Sequence, residues 1–109
     1  MSIVSILFEQ KRWIPEDILY IVTGNSNVSG VAWVYRYDTA RKELSRDFGT
    51  LDYHTLLEVG TERRYQKDAR GDYQYFRKIL KCPDSPNVVG DWIAESDITK
   101  VSYFFNAKN

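Results

Sequence analysis

Val31-Ala32-Trp33-Val34-Tyr35-Arg36-Tyr37 decides the fold class. In an extended chain Val31, Trp33, Tyr35 and Tyr37 fall on one side, and Ala32, Val34 and Arg36 on the other. β-Branched and aromatic residues pack well on a pleated surface, so the stretch predicts a strand. Asp38-Thr39-Ala40-Arg41-Lys42-Glu43 follows with turn chemistry, and Leu44 to Phe48 reads as the returning strand. Upstream, Ile18 to Thr23 is again β-rich, ahead of a polar loop bounded by Gly24 and Gly30. Residues 18–48 therefore predict a three-stranded antiparallel meander. Ser2 to Phe8 reads as a buried apolar strand, and Pro15 with Glu16 and Asp17 as the start of a short helical turn.

Beyond residue 50 the period changes. Tyr53, Leu56 and Leu57 share one face at helical spacing, and Gly60 suits a helix C-terminus, which predicts a helix over Leu51 to Val59. Asp72 can cap a second helix with an apolar face of Tyr73, Phe76, Ile79 and Leu80, ended by Pro83. Val88 to Ala94 and Lys100 to Phe105 return to strand character around a turn at Glu95-Ser96-Asp97. The expectation is an α+β fold: an antiparallel sheet of about five strands with one or two helices packed on one face. Residues 1–109 are read as a single globular domain.

Composition narrows the function. Fifteen cations balance fifteen anions, yet residues 61–81 hold seven Lys or Arg against three Asp or Glu. Tyr65, Tyr73, Tyr75 and Phe76 are threaded through that basic segment. Cations fix anions and aromatics supply stiff contact area, so the segment reads as a contact surface. Eight tyrosines in so short a chain cannot all bury their hydroxyls with partners. A single cysteine, Cys82, forms no internal disulfide and points to a reducing, cytoplasmic setting with an inert buried thiol. No apolar run reaches the ~18 residues of a membrane span. Arg70-Gly71-Asp72 reads as a plain turn.

Candidate charge contacts are Arg63, Arg64, Lys67, Arg70, Arg77 and Lys78, joined by Tyr73. Trp13, Trp33, Tyr35 and Tyr37 are candidate aromatic anchors, since binding hot spots favour Trp, Tyr and Arg. His54 and Glu58 would sit one turn apart on the first predicted helix, where His54 could serve as a general base with Arg63 or Arg64 holding a phosphate. One His and one Cys do not compose a structural zinc set, and the scattered glycines form no phosphate loop, so no metal or cofactor is assigned.

Tyr37-Asp38, Leu44 and Phe48, then Gly71 with Tyr73, Phe76 and Ile79, resemble in spacing the KTSC domain, a small module at the end of some lysyl-tRNA synthetases. The resemblance implies a strand pair followed by a helix, and a role in RNA binding. That family's Tyr-x-Tyr motif has no counterpart here, because His54 and Thr55 follow Tyr53. Membership is not assigned.

The reading is a small non-enzymatic interaction protein whose partner is another protein, in the manner of inhibitors, immunity proteins and antagonists. The alternative is nucleic-acid binding by segment 61–81, against which the sequence pI of about 6.6 counts. A second alternative is a small hydrolase or nuclease using His54.

Overall fold

The computed structural model describes residues 19–23 and 31–101, the side chain of Phe48 excepted. Seven strands appear among them: β1 Leu19–Val22, β2 Val31–Asp38, β3 Glu43–Asp52, β4 Leu56–Lys67, β5 Tyr73–Lys81, β6 Trp92–Ala94 and β7 Ile98–Lys100. They form one sheet in the order β3-β2-β6-β5-β4-β1-β7, with every neighbouring pair antiparallel. Two three-residue 3₁₀ turns, Pro86–Val88 and Glu95–Asp97, interrupt the later strands.

This corrects the α+β expectation. Among the described residues no helix of seven or more residues packs on the sheet. The second predicted helix falls in β5, the first spans the end of β3, a turn and the start of β4, and no helix follows the strand pair as the KTSC-like spacing implies. The reason is burial on two faces. Tyr20, Val34, Leu57, Val59, Ile79 and Ile93 belong to one buried cluster, while Tyr35, Leu44, Phe76, Trp92 and Ala94 form another. Val34 and Tyr35 are sequence neighbours on one strand, so the two clusters lie on opposite faces of the sheet. A strand with apolar residues on both faces loses its alternation and mimics a helical stripe. Side chains as large as Phe76, Leu57 and Ile79 are fully buried, each removal from water being worth about 1.5–3 kcal/mol.

The β2–β3 hairpin stands where the sequence placed it. Asp38 Oδ1 accepts the N–H groups of Ala40 and Arg41 at 2.9 and 3.2 Å and closes the turn. The three-stranded meander does not form, because β1 pairs with β4 and β7 rather than with β2. The Leu51–Val59 segment contains a turn. His54 takes a positive φ of 69° and donates its amide to Val22 O at 2.8 Å, which fastens the turn to β1. The expectations for Ser2 to Phe8, Pro15, the loop 24–30, Trp13 and the end of the chain from residue 102 lie outside the described residues.

β4 and β5 position the site. Their pairing is regular from Arg63↔Arg77 to Lys67↔Tyr73 and irregular around Glu58, Val59 and Gly60. Such irregularities bend a strand and increase its twist. Arg77 Nε donates to the Gly60 carbonyl at this irregular stretch. At the hairpin's other end the two strands meet in a turn built on Asp68, the expected Arg70-Gly71-Asp72 turn. Its Oδ1 accepts the amides of Arg70 and Asp72, each at 2.9 Å, and Oδ2 accepts Gln74 Nε2 at 2.6 Å. Gly71 adopts a φ of 93°, a region that costs glycine little. The Ala69 amide donates to the Tyr35 hydroxyl at 2.9 Å, which ties the hairpin turn to β2.

Candidate functional site: a tyrosine ladder on the β4–β5 hairpin

Paired residues of an antiparallel sheet share a face, so Arg63, Tyr65 and Lys67 of β4 stand beside Arg77, Tyr75 and Tyr73 of β5. Toward the base of the hairpin that face runs into the first buried cluster through Ile79. Toward the turn it emerges into solvent. Tyr65 and Tyr73 are each 61% exposed and Tyr75 is 40% exposed. Their rings are not loose. Tyr65 stacks on Tyr73 with centroids 5.7 Å apart and leans on Tyr75 at 4.9 Å. The Arg63 guanidinium lies 3.7 Å from the Tyr75 ring centre, and Lys67 Nζ lies 5.6 Å from that of Tyr73. Cations over ring faces are attracted to the negative face of the ring.

The two arginines of this ladder share one carboxylate, that of Glu95. Arg63 makes a bidentate bond to Glu95 at 2.7 and 3.1 Å, and that hydrogen-bonded carboxylate keeps the guanidinium more firmly protonated than usual. Arg77 is buried. It reaches the Tyr20 hydroxyl at 3.4 Å and Glu95 at 3.6 Å, so it links β1, β5 and the 3₁₀ turn rather than facing a partner. Lys81 sits 3.7 Å from Glu58. An open cleft of about 400 Å³ is lined by Glu43, Leu44, Tyr65, Gln66, Lys67 and Tyr73.

The sequence-predicted residues divide between the two faces. Arg63, Lys67 and Tyr73 meet on the ladder. Arg64 points the other way, 4.3 Å from the Tyr37 ring centre and 5.7 Å from that of Trp92. Arg70 lies in the turn, 5.6 Å from the Trp33 ring centre, while Arg46 approaches the same ring to 3.7 Å. Lys78 is exposed, and its position next to Arg77 on β5 puts it on the face away from the ladder. Tyr35 is only 3% exposed; burial pushes its phenol pKa up, against the Ala69 amide, and it cannot anchor a partner. Trp33 and Tyr37 are half-buried lids on the second cluster. The basic segment is thus continuous in sequence but not on the surface.

Tyr65 and Tyr75, which the sequence marks only as aromatics threaded through the basic segment, complete the ladder. The signal was present in the alternation Arg63-x-Tyr65-x-Lys67 and Tyr73-x-Tyr75, which has the strand period. The proposed His54–Glu58 pair loses its helical geometry. His54 sits in the β3–β4 turn with its ring 6.4 Å from that of Tyr53, while Glu58 is buried on β4 beside Lys81. Among the described residues no group of three or more His, Cys, Asp or Glu is placed to hold a metal ion.

In comparisons with known proteins the chain matches no family model, no curated protein and no solved structure.

Proposed function

We propose that this chain is a binding module, that the ladder of Tyr65, Tyr73 and Tyr75 is its contact surface, and that its partner is a protein. One observation carries the reading: three tyrosines stand in solvent already packed against one another. Exposed aromatic surface is costly unless something covers it, and rigid tyrosines lose little conformational entropy on being covered. Charge favours a protein over a phosphate chain. Arg63 and Arg77 share the one carboxylate of Glu95, Arg77 is buried, and Arg64, Arg70 and Lys78 lie off the ladder face, so few cations are presented together on it. Nucleic-acid affinity rests on several phosphate-neutralising cations acting together. A module of this kind alters its partner by occupying it, as inhibitors and immunity proteins do.

The test is capture from a lysate of the native host, using the wild-type chain and the Tyr65→Ala/Tyr73→Ala variant. The wild type should retain a defined set of proteins that survives nuclease treatment, and the double variant should lose it by about tenfold or more. Equal capture by both chains, or material released by nuclease, overturns the reading. Thermal melts of both chains establish that the variant is folded.

A further inference from the structure

We propose that the ladder receives an acidic segment of its partner, one that sets carboxylates on either side of an apolar side chain. This rests on the ladder being the protein-binding surface, and charge complementarity selects the occupant.

The register of the hairpin lays this face out in rows. Arg63 stands beside Arg77, Tyr65 beside Tyr75, and Lys67 beside Tyr73 next to the turn. Cations therefore stand at both ends of the strip, with rings between them. Their charge is not cancelled. Arg63 and Arg77 have one carboxylate between them, that of Glu95, at 2.7 and 3.6 Å. Glu95 takes the Nε and Nη2 of Arg63, which leaves Nη1 for a ligand. Lys67 is exposed, with its Nζ 5.6 Å from the Tyr73 ring centre, and among the described residues it makes no ion pair. Glu43, which lines the cleft with Lys67, is paired with Arg41 at 3.8 Å.

Three cations against one carboxylate leave the face positive. A second copy of this chain would set like charge against like, which disfavours self-association through the ladder. A phosphate chain would meet too few cations to be held. A protein segment with a few carboxylates matches what is presented: one acid beside Lys67, another beside Arg63. Phenol O–H groups of the rings add hydrogen bonds to those acids, and bonds to an ionised acceptor are the stronger kind. The stacked faces of Tyr65 and Tyr73 cover the apolar side chain between them.

The experiment titrates the ¹⁵N-labelled chain with a capped peptide in which two glutamate pairs flank a leucine pair, and follows amide shifts. The same peptide with glutamine, or with lysine, in place of glutamate is run beside it, as is a single-stranded oligothymidylate. The glutamate peptide alone should give saturable shifts centred on Tyr65, Tyr73 and Tyr75. Its affinity should fall by about threefold or more between ~20 and ~200 mM salt. Lys67→Glu should weaken it by about tenfold, and Lys67→Gln by about threefold, which gives a second reading should the first variant unfold. Absence of saturation at millimolar peptide, shifts centred elsewhere, equal binding of the glutamine peptide, unchanged affinity in both Lys67 variants, or tighter binding of the oligonucleotide each overturn the inference. The capture test separates this failure from that of the protein-binding reading. Proteins lost by Tyr65→Ala/Tyr73→Ala but kept in full by Lys67→Glu would sustain that reading and overturn the acidic occupant.

Discussion

Gln66 holds the backbone of Leu44 with both ends of its amide: Oε1 accepts the Leu44 N–H at 2.7 Å and Nε2 donates to the Leu44 carbonyl at 2.9 Å. A side chain here does the work of a neighbouring strand, and it joins β3 at the end of the sheet to β4, four strands away in the sheet order. The sheet must curl for the two to meet, and the second buried cluster lies within that curl.

Gln66→Ala should therefore destabilise the protein by about 1–2 kcal/mol, because partly buried backbone groups lose both partners. Chemical denaturation measures the loss. Amide exchange at Leu44 should accelerate more than exchange in the central strands. Unchanged protection at Leu44 would show that the amide bridge is dispensable.

Asp68 organises the hairpin turn through its ionised carboxylate. Burial works to raise its pKa, but the amides of Asp72 and Arg70 and the Gln74 side chain outweigh burial and hold it below the usual carboxylate range. A lowered folded-state pKa means stability that is present above the unfolded value and lost as pH falls through the folded one. Asp68→Asn should cost about 1–2 kcal/mol at pH 7 and much less near pH 2. Melting curves of the two chains that stay parallel down to pH 2 would refute this role.

Asp91 behaves in the opposite sense. Burial and the neighbouring Asp47 raise its pKa from 3.8 to about 6, against the pull of Arg36, whose Nε lies 3.6 Å from it. The folded state holds this proton more tightly than the unfolded chain does, so the contribution is complete below pH ~4 and lost as pH rises through about 6. Asp91→Asn should gain stability relative to wild type between pH 4 and pH 7, by at most ~3 kcal/mol at 1.36 kcal/mol per pKa unit. A difference between the two chains that is flat across that range would rule the coupling out.

Cys82 is 2% exposed in the first cluster, and burial pushes its thiol pKa up. It should resist an aromatic disulfide reagent in the native state and react stoichiometrically in denaturant. Complete reaction within seconds under native conditions would contradict its placement.

The β2–β3 hairpin was legible because Val31 to Tyr37 alternates cleanly and Asp38 supplies a side-chain acceptor for its turn. The helices over Leu51–Val59 and Tyr73–Leu80 were misread for one physical reason. Leu56 and Leu57, adjacent in sequence, are both buried, as are Phe76 and Arg77, so the two-residue period is masked where the sheet is covered on both faces. Arg77 added to the disguise: a cation reads as surface, yet its partners Gly60, Tyr20 and Glu95 are remote in sequence. For the site, the basic-aromatic character of segment 61–81 was visible. Its division between two faces was not, since that follows from strand geometry and a helical period groups the same residues differently.

The β4–β5 hairpin changes character along its length, from a base walled by two buried clusters to a tip whose tyrosines touch mostly each other. Errors at the base would damage folding, whereas exchanges among the terminal rings would leave the scaffold standing. Natural variation can therefore explore new specificities at one end of a single ribbon while the other end conserves the architecture.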